Sequence, residues 1–484
     1  MAQDLKKQTV NSIVWNALDK VGFQVVAFVV GLITLRLLTP RDFGLVGALA
    51  IFTALSNLLT ESGFTSAMVR RKENTDAEYV AVLLFNVFLS LVFYTVLFVS
   101  AGFIASYYRM PELILLSRFL FVSIIFNSFG IVQTIVLTRT LSFKKMSLSS
   151  LVSAVVSGVA TILMIVLGYG YWALAWQIVL QSVVRVAMLW VLSDWRPNAH
   201  PNFKVIKELF SFSFSLIGAS LMNTFVRYIY NPIIGRYFGE ERLGYYSESY
   251  KFYFLPVNIV SSTFSGVAFP VLSKLNDEEP RQLTYLRKMM RMVAFGISPI
   301  LFGAMACFDN LVEVVLTDKW QPIVPYFRVL AVAGLVAPMH NMYLNLMTVK
   351  GVPRRNFAME VIRNVLTLFS LFLFHDTVEE MLWGFVSANV LSYCVDLFFV
   401  RRVVDYSIGN QLKDVFPYWG LSLFMAVGVW TIGWLTRDVM DWNVKLTLLL
   451  QLVAGVVLFV VPAKLLGSNV LNDICDMLLK KKSC

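Results

Sequence analysis

The chain has 484 residues, of which 58% are apolar and only 15% charged, with a mean hydropathy of +0.69. A soluble domain of this length carries a far more charged surface, so the composition excludes one and places the chain in a bilayer. The net charge of +11 is spread over many short connections; that excludes a basic nucleic-acid module and fits a membrane with an anionic face.

About twenty apolar residues cross the hydrocarbon core of a bilayer. By that measure spans fall at 10–35, 43–68, 79–105, 113–137, 146–168, 171–193, 207–235, 244–270, 289–308, 323–349, 356–374, 380–400, 414–434 and 444–466, fourteen in all. The longest connections are 194–206 and 271–288, so no soluble domain is inserted. Residues Met1–Val10 are polar and run into an apolar stretch too long for a signal-peptide core, so the first span is expected to be retained. Cys307, Cys394, Cys475, Cys484, His200, His340 and His375 are scattered without metal-ligand spacing, and no zinc site or disulfide framework is expected.

Alternate connections hold most of the lysines and arginines. With the amino terminus on one side, that side holds 26 of the 41 bases and the opposite side 8, the rest lying inside spans. The bias over short loops predicts that both termini are cytoplasmic.

The turn after the first span, Arg36 to Leu45, reads RLLTPRDFGL. The turn after the seventh, Arg236 to Tyr245, reads RYFGEERLGY, offset by 200 residues. Arginine, a charged turn and then glycine between larger residues recur in register. This predicts two pseudo-symmetric six-helix lobes, 1–200 and 201–405, with the last two spans (406–466) and a basic tail (467–484) appended. Prolines follow the division: spans seven to ten hold Pro232, Pro256, Pro270, Pro299, Pro325 and Pro338, whereas the first six hold none. The second half is therefore expected to hold the bent helices.

An ionisable group in a span costs several kcal/mol unless it is paired, hydrated or near an interface. Arg118, Arg328, Glu360, Arg363 and Asp396 lie within a turn or two of a span end, and snorkelling is expected to account for them. Asp19, Lys20, Glu61, Arg227 and Lys251 lie deeper and belong to polar stripes at helical spacing. Span one shows Asn16, Asp19/Lys20 and Gln24; span two Thr53, Asn57 and Glu61; span seven Asn223, Arg227 and Asn231; span eight Tyr246, Glu248/Ser249 and Lys251. Such stripes face protein or water, because lipid cannot satisfy them. They predict a hydrated cavity whose bases (Arg227, Lys251, Lys20), with Asn223 and Asn16, bind an anionic cargo. Asp19 and Glu61 are the candidates for binding a coupling ion, Na+ or H+, and no other cofactor is expected.

The segments Asn11 to Phe52, Glu61 to Glu73 (ESGFTSAMVRRKE) and Leu216 to Phe252 resemble the MOP superfamily of exporters, specifically its Wzx-type polysaccharide-transport branch. The resemblance runs through the TPRDFG-type turn after the first span and the RYFG…LGYY turn after the seventh. It implies an all-α polytopic fold with alternating access. The implied cargo is an undecaprenyl-pyrophosphate-linked oligosaccharide flipped across the bacterial inner membrane, and the implied partners are glycosyltransferases and polymerase of the same pathway. The alternatives are a cation-coupled multidrug antiporter or a lipid II flippase of the same superfamily. An enzyme is not expected, because the outer loops are short and no D-x-D motif lies at a membrane face.

Overall fold

The computed structural model describes residues 22–61, 64–71, 73–468 and 470–472. Asn16, Asp19, Lys20 and the final basic residues lie outside them. Every regular element among the described residues is a helix, and 12 helical stretches are long and apolar enough to cross a membrane. The chain is a multi-pass membrane protein. Two features separate this count from the fourteen spans read in the sequence. The first helix, α1, is described only as Gly22–Leu37. The expected spans seven and eight run together over Ser220–Lys274, whose 55 residues at about 1.5 Å each exceed twice a core of about 30 Å.

Two compact units divide the chain, Met1–Gly244 and Tyr245–Cys484. In the first, α2 (Pro40–Ala48) and α3 (Ala50–Glu61) form one stretch, followed by the short α4 (Phe64–Arg70) and the long α5 (Asp76–Tyr108). Thr39 and Thr75 start α2 and α5 with reciprocal capping boxes to Asp42 and Glu78, which supply partners for amides that the helix leaves open. The next crossing is three segments, α6 (Leu113–Leu120), α7 (Val122–Phe129) and α8 (Ile131–Arg139), and α9 (Phe143–Val166), α10 (Tyr171–Leu192) and α11 (Lys204–Tyr228) follow. On α9, Ser149, Ser153, Ser157 and Thr161 recur every fourth residue and are all buried. A small-residue face of this kind lets backbones approach closely in lipid, and Gly158 beside it accepts Val30 of α1. Phe64, Met68, Val82, Val132, Ile135, Val205 and Leu209 form an apolar core joining α4, α5, α8 and α11.

α12 (Tyr230–Lys274) is kinked at Gly239, whose φ of 86° and ψ of 175° break the helix; positive φ is open to glycine at no steric cost. Its later part begins the second unit, which continues with α13 (Glu279–Val315), α14 (Ile323–Val349), α15 (Pro353–Leu373), α16 (Val378–Arg401), α17 (Ile408–Trp434) and α18 (Val444–Leu465). Pro256, Pro270, Pro299 and Pro338 stand inside these helices, as their positions predicted. α14 is the enclosed centre, packed against α13, α15 and α16. Outward faces such as Phe372, Leu446 and Val456 are exposed apolar surface, as lipid contact requires.

The last two helices are docked on α13 by buried polar groups. Asn310 Nδ2 donates to Gln451 Oε1 at 2.9 Å, Gln451 Nε2 donates to the Val429 carbonyl at 3.0 Å, and Arg437 donates to Asn310 Oδ1 at 2.6 Å while pairing with Glu313. Gly433 leaves the space that the Gln451 amide occupies. Gln451→Leu removes both Gln451 bonds and leaves the Asn310 amide without an acceptor. It should cost about 1–2 kcal/mol and lower the melting temperature of the detergent-solubilised protein by several degrees, read by intrinsic tryptophan fluorescence.

Candidate functional site

The two related turns meet each other within the first unit. A Cβ on Gly44 would fall 1.7 Å from the Glu240 carbonyl oxygen, and one on Gly244 would fall 1.9 Å from the Pro40 carbonyl oxygen. Adding 200 to Pro40 and Gly44 gives Glu240 and Gly244, so each contact is the image of the other. This is the exchange of equivalent partners that a two-fold interface produces, here inside one chain. Any side chain at either glycine would hold the backbones apart. Backbones this close gain from weak Cα–H···O contacts and dispersion, both worth more where water does not compete.

Polar groups surround this crossing. Asn231, nearly buried, donates from Nδ2 to the Gly47 carbonyl at 2.9 Å, and the Tyr108 hydroxyl donates to the Ala48 carbonyl at 2.8 Å. Gly235 lies flat against the Tyr108 ring. Arg236 donates to the Tyr107 carbonyl at 2.5 Å, and its guanidinium lies over the Tyr107 ring. Arg41 bridges Glu240 at 3.1 Å and Glu112 at 2.6 Å. Those ion pairs are on the surface and individually weak; the Asn231 bond and the glycine contact carry the closure, while the Tyr108 bond fixes the Ala48 backbone from its own side.

The described cargo-binding candidates are divided between the two units. Asn223, half-buried, and Arg227, exposed, stand one turn apart on α11 in the first unit. Lys251 belongs to the second unit, where its side chain is 66% exposed and reaches Glu248, 5% exposed, at 2.5 Å. Both members of this pair were in the span-eight stripe, and their three-residue spacing places them on one helix face. Tyr246, Tyr250, Tyr253 and Phe254 continue beside them as a ring ladder, with centroid separations of 5.5–6.0 Å. Glu61 ends α3. Asn57, from the span-two stripe, accepts from Asn127 at 3.3 Å.

Arg328, with its side chain 40% exposed, binds the Met305 carbonyl at 3.1 Å and pairs with Asp309. One of the charges expected to snorkel is held inside the protein instead. Asp396 is 0% exposed and bonds to His340 at 2.5 Å. Its depth along α16 did fit snorkelling; its direction around the helix, inward against α14, does not.

Among proteins of known sequence or structure, the model of a family described as polysaccharide biosynthesis protein matches residues 33–325, more than half of the chain. The teichuronic acid biosynthesis protein TuaB of Bacillus subtilis is 23% identical over 469 residues, 93% of this chain and 94% of that protein. The succinoglycan biosynthesis transport protein ExoT of Rhizobium meliloti is 26% identical over 333 residues, 69% of this chain and 67% of that protein. Among solved structures, an inward closed form of the lipid II flippase MurJ superposes with a TM-score of 0.74 at 14% identity, covering 92% of this chain and 98% of that one. The fold is shared at that level.

Gly44→Ala and Gly244→Ala should each cost about 1–3 kcal/mol as overpacking against backbone that cannot rotate away. Hydrogen–deuterium exchange should show segments 40–48 and 240–246 exchanging roughly tenfold faster or more in both variants. Gly31→Ala, with no heavy atom within 4 Å of the added methyl, should leave exchange there unchanged.

Proposed function

We infer the function of this chain from its family: it belongs to the polysaccharide biosynthesis protein family, and we propose that it flips a lipid-linked oligosaccharide across the bacterial inner membrane. The observation that carries this reading is the matched contact of Gly44 and Gly244. Two related turns closing on each other at a base-poor end are what alternating access needs as an outer gate. In this reading the chain has fourteen spans, two six-helix lobes (1–200 and 201–405) and cytoplasmic termini. The gate then faces the periplasm, and the cargo enters from the cytoplasmic leaflet.

A pyrophosphate with sugars attached cannot cross hydrocarbon without polar partners. Arg227 and Asn223 on α11 and Lys251 on α12, with Lys20 and Asn16 of the first span, supply donors for its phosphate oxygens. The ring ladder of Tyr246, Tyr250 and Tyr253 offers faces for sugar rings. Asp19 and Glu61 would bind the coupling cation. Partner glycosyltransferases and polymerase supply and consume the cargo. The relatives are named for teichuronic acid biosynthesis and succinoglycan biosynthesis transport, which fits this class of cargo.

The test is deletion of the gene followed by analysis of lipid-linked oligosaccharides in inverted membrane vesicles. One complete, unpolymerised repeat should accumulate on the cytoplasmic leaflet. Unchanged pools with altered sensitivity to cationic drugs would move the chain to the multidrug-antiporter branch, and accumulated lipid II would make that its cargo.

Arg227→Ala should abolish export while the protein stays at its normal level in the membrane; normal export would remove Arg227 from the mechanism. Lys251→Ala deprives the nearly buried Glu248 of its nearest cation. It should weaken export and be partly rescued by Glu248→Gln, measured as surface glycan per cell. Asp19→Asn or Glu61→Gln should change the dependence of export on pH or sodium, and an unchanged dependence in both would remove that pair.

A further inference from the structure

We propose that His340 and Asp396 form a proton-binding site inside the second unit, and that its occupancy couples transport to the proton gradient. Its titration rests on local geometry alone; its coupling rests on the transport reading above.

His340 Nδ1 and Asp396 Oδ2 lie 2.5 Å apart between α14 and α16, with the side chains 5% and 0% exposed. Each group keeps a second polar atom, His340 Nε2 and Asp396 Oδ1, that is buried and has no hydrogen-bond partner. Ser392, one turn before Asp396 on α16, has a buried hydroxyl in the same condition. A carboxylate and an imidazole with spare buried atoms are poorly matched to a purely structural role, because each orphan carries a desolvation cost. They suit a site whose proton count changes. Imidazole beside a carboxylate, and imidazole beside a protonated carboxyl, differ by one charge in a medium where charge is costly.

The neighbours set what else the site senses. From α15, Arg363 acts on Asp396 through space. Tyr343 on α14 and Tyr393 on α16 stack with centroids 6.0 Å apart and an interplanar angle of 6°. Tyr343 donates to Gln411 of α17 at 2.8 Å, and Gln411 donates in turn to the carbonyls of Leu397 and Tyr406. Tyr406, in the connection after α16, donates to Asp414 at 2.7 Å, and Asp414 is held by Arg287 and Arg291 of α13 at 2.7 and 2.8 Å. Burial, reinforced by the Asp414 carboxylate, raises the Tyr406 phenol above its ordinary range, so it remains a donor at physiological pH. A run of polar groups thus leads from a charged cluster to Tyr343, beside the His340–Asp396 pair. Imidazole plus a single carboxylate favours a proton over Na+, which takes oxygen ligands as other hard cations do.

Infrared difference spectroscopy on the purified protein in liposomes, titrated from pH 5 to pH 9 without cargo, reads the site directly. A buried carboxyl band should titrate in the wild type, vanish in Asp396→Asn and shift its midpoint in His340→Gln. Absence of any titrating carboxyl band in the wild type, or a band unchanged in His340→Gln, would overturn the site. Both readings are available even if Asp396→Asn fails to fold. Inverted vesicles loaded with the accumulated lipid-linked oligosaccharide then test coupling. Collapsing the pH gradient with nigericin should slow wild-type flipping several-fold and slow residual flipping by His340→Gln markedly less. Equal sensitivity of the two proteins would overturn the coupling. Wild-type vesicles that move no oligosaccharide would refute the transport reading while the spectroscopic result stands.

Discussion

Lipid offers no hydrogen-bond partner, and the rest of this structure follows from that constraint. The backbone is satisfied by making every described regular element a helix. Side chains then have to solve the same problem one by one. Thr53, Thr95 and Ser298 bond back to carbonyls one turn earlier, and Ser90 reaches Ser128 across two helices at 3.0 Å. Asn310, Gln451 and Arg437 do it over longer sequence distances and thereby fix α17 and α18 to α13.

Shape complementarity without a hydrophobic driving force makes small residues important. The serine face of α9 and the Gly158–Val30 contact show this in a static setting. At Gly44 and Gly244 the same device serves the interface that we propose parts and re-forms. Glycine-to-backbone contact leaves no side chains to disentangle, so opening costs little reorganisation. The surrounding Asn231 and Arg236 bonds end on the carbonyl oxygens of Gly47 and Tyr107, which water can satisfy once the crossing opens. A deeply interlocked apolar seam would lack that property.

The membrane class, the helical content and the correspondence of the two turns were legible in composition, span length and a ten-residue register. The Lys251–Glu248 pair was legible as well, because helical spacing alone brings residues three apart together. That the turns touch was not: an offset of 200 makes Gly44 and Gly244 equivalent without making them neighbours. Asp396 escaped for a related reason. Distance from a helix end gives depth, but only the packing of α14 against α16 sets which way the carboxylate points, and His340 is 56 residues away in sequence. The docking of α18 depends on Asn310 and Gln451, two lone polar residues 141 positions apart with no periodic pattern to link them.

The central claim is that transport requires the crossing at Gly44 and Gly244 to open. Arg41 and Glu240 meet at 3.1 Å beside it, so cysteines at those two positions, in a chain whose four native cysteines are replaced, can be joined by a short cleavable thiol cross-linker. The account predicts that cross-linking stops oligosaccharide flipping in inverted vesicles and that cleavage of the linker restores it. Flipping at the unlinked rate by fully cross-linked protein would contradict it.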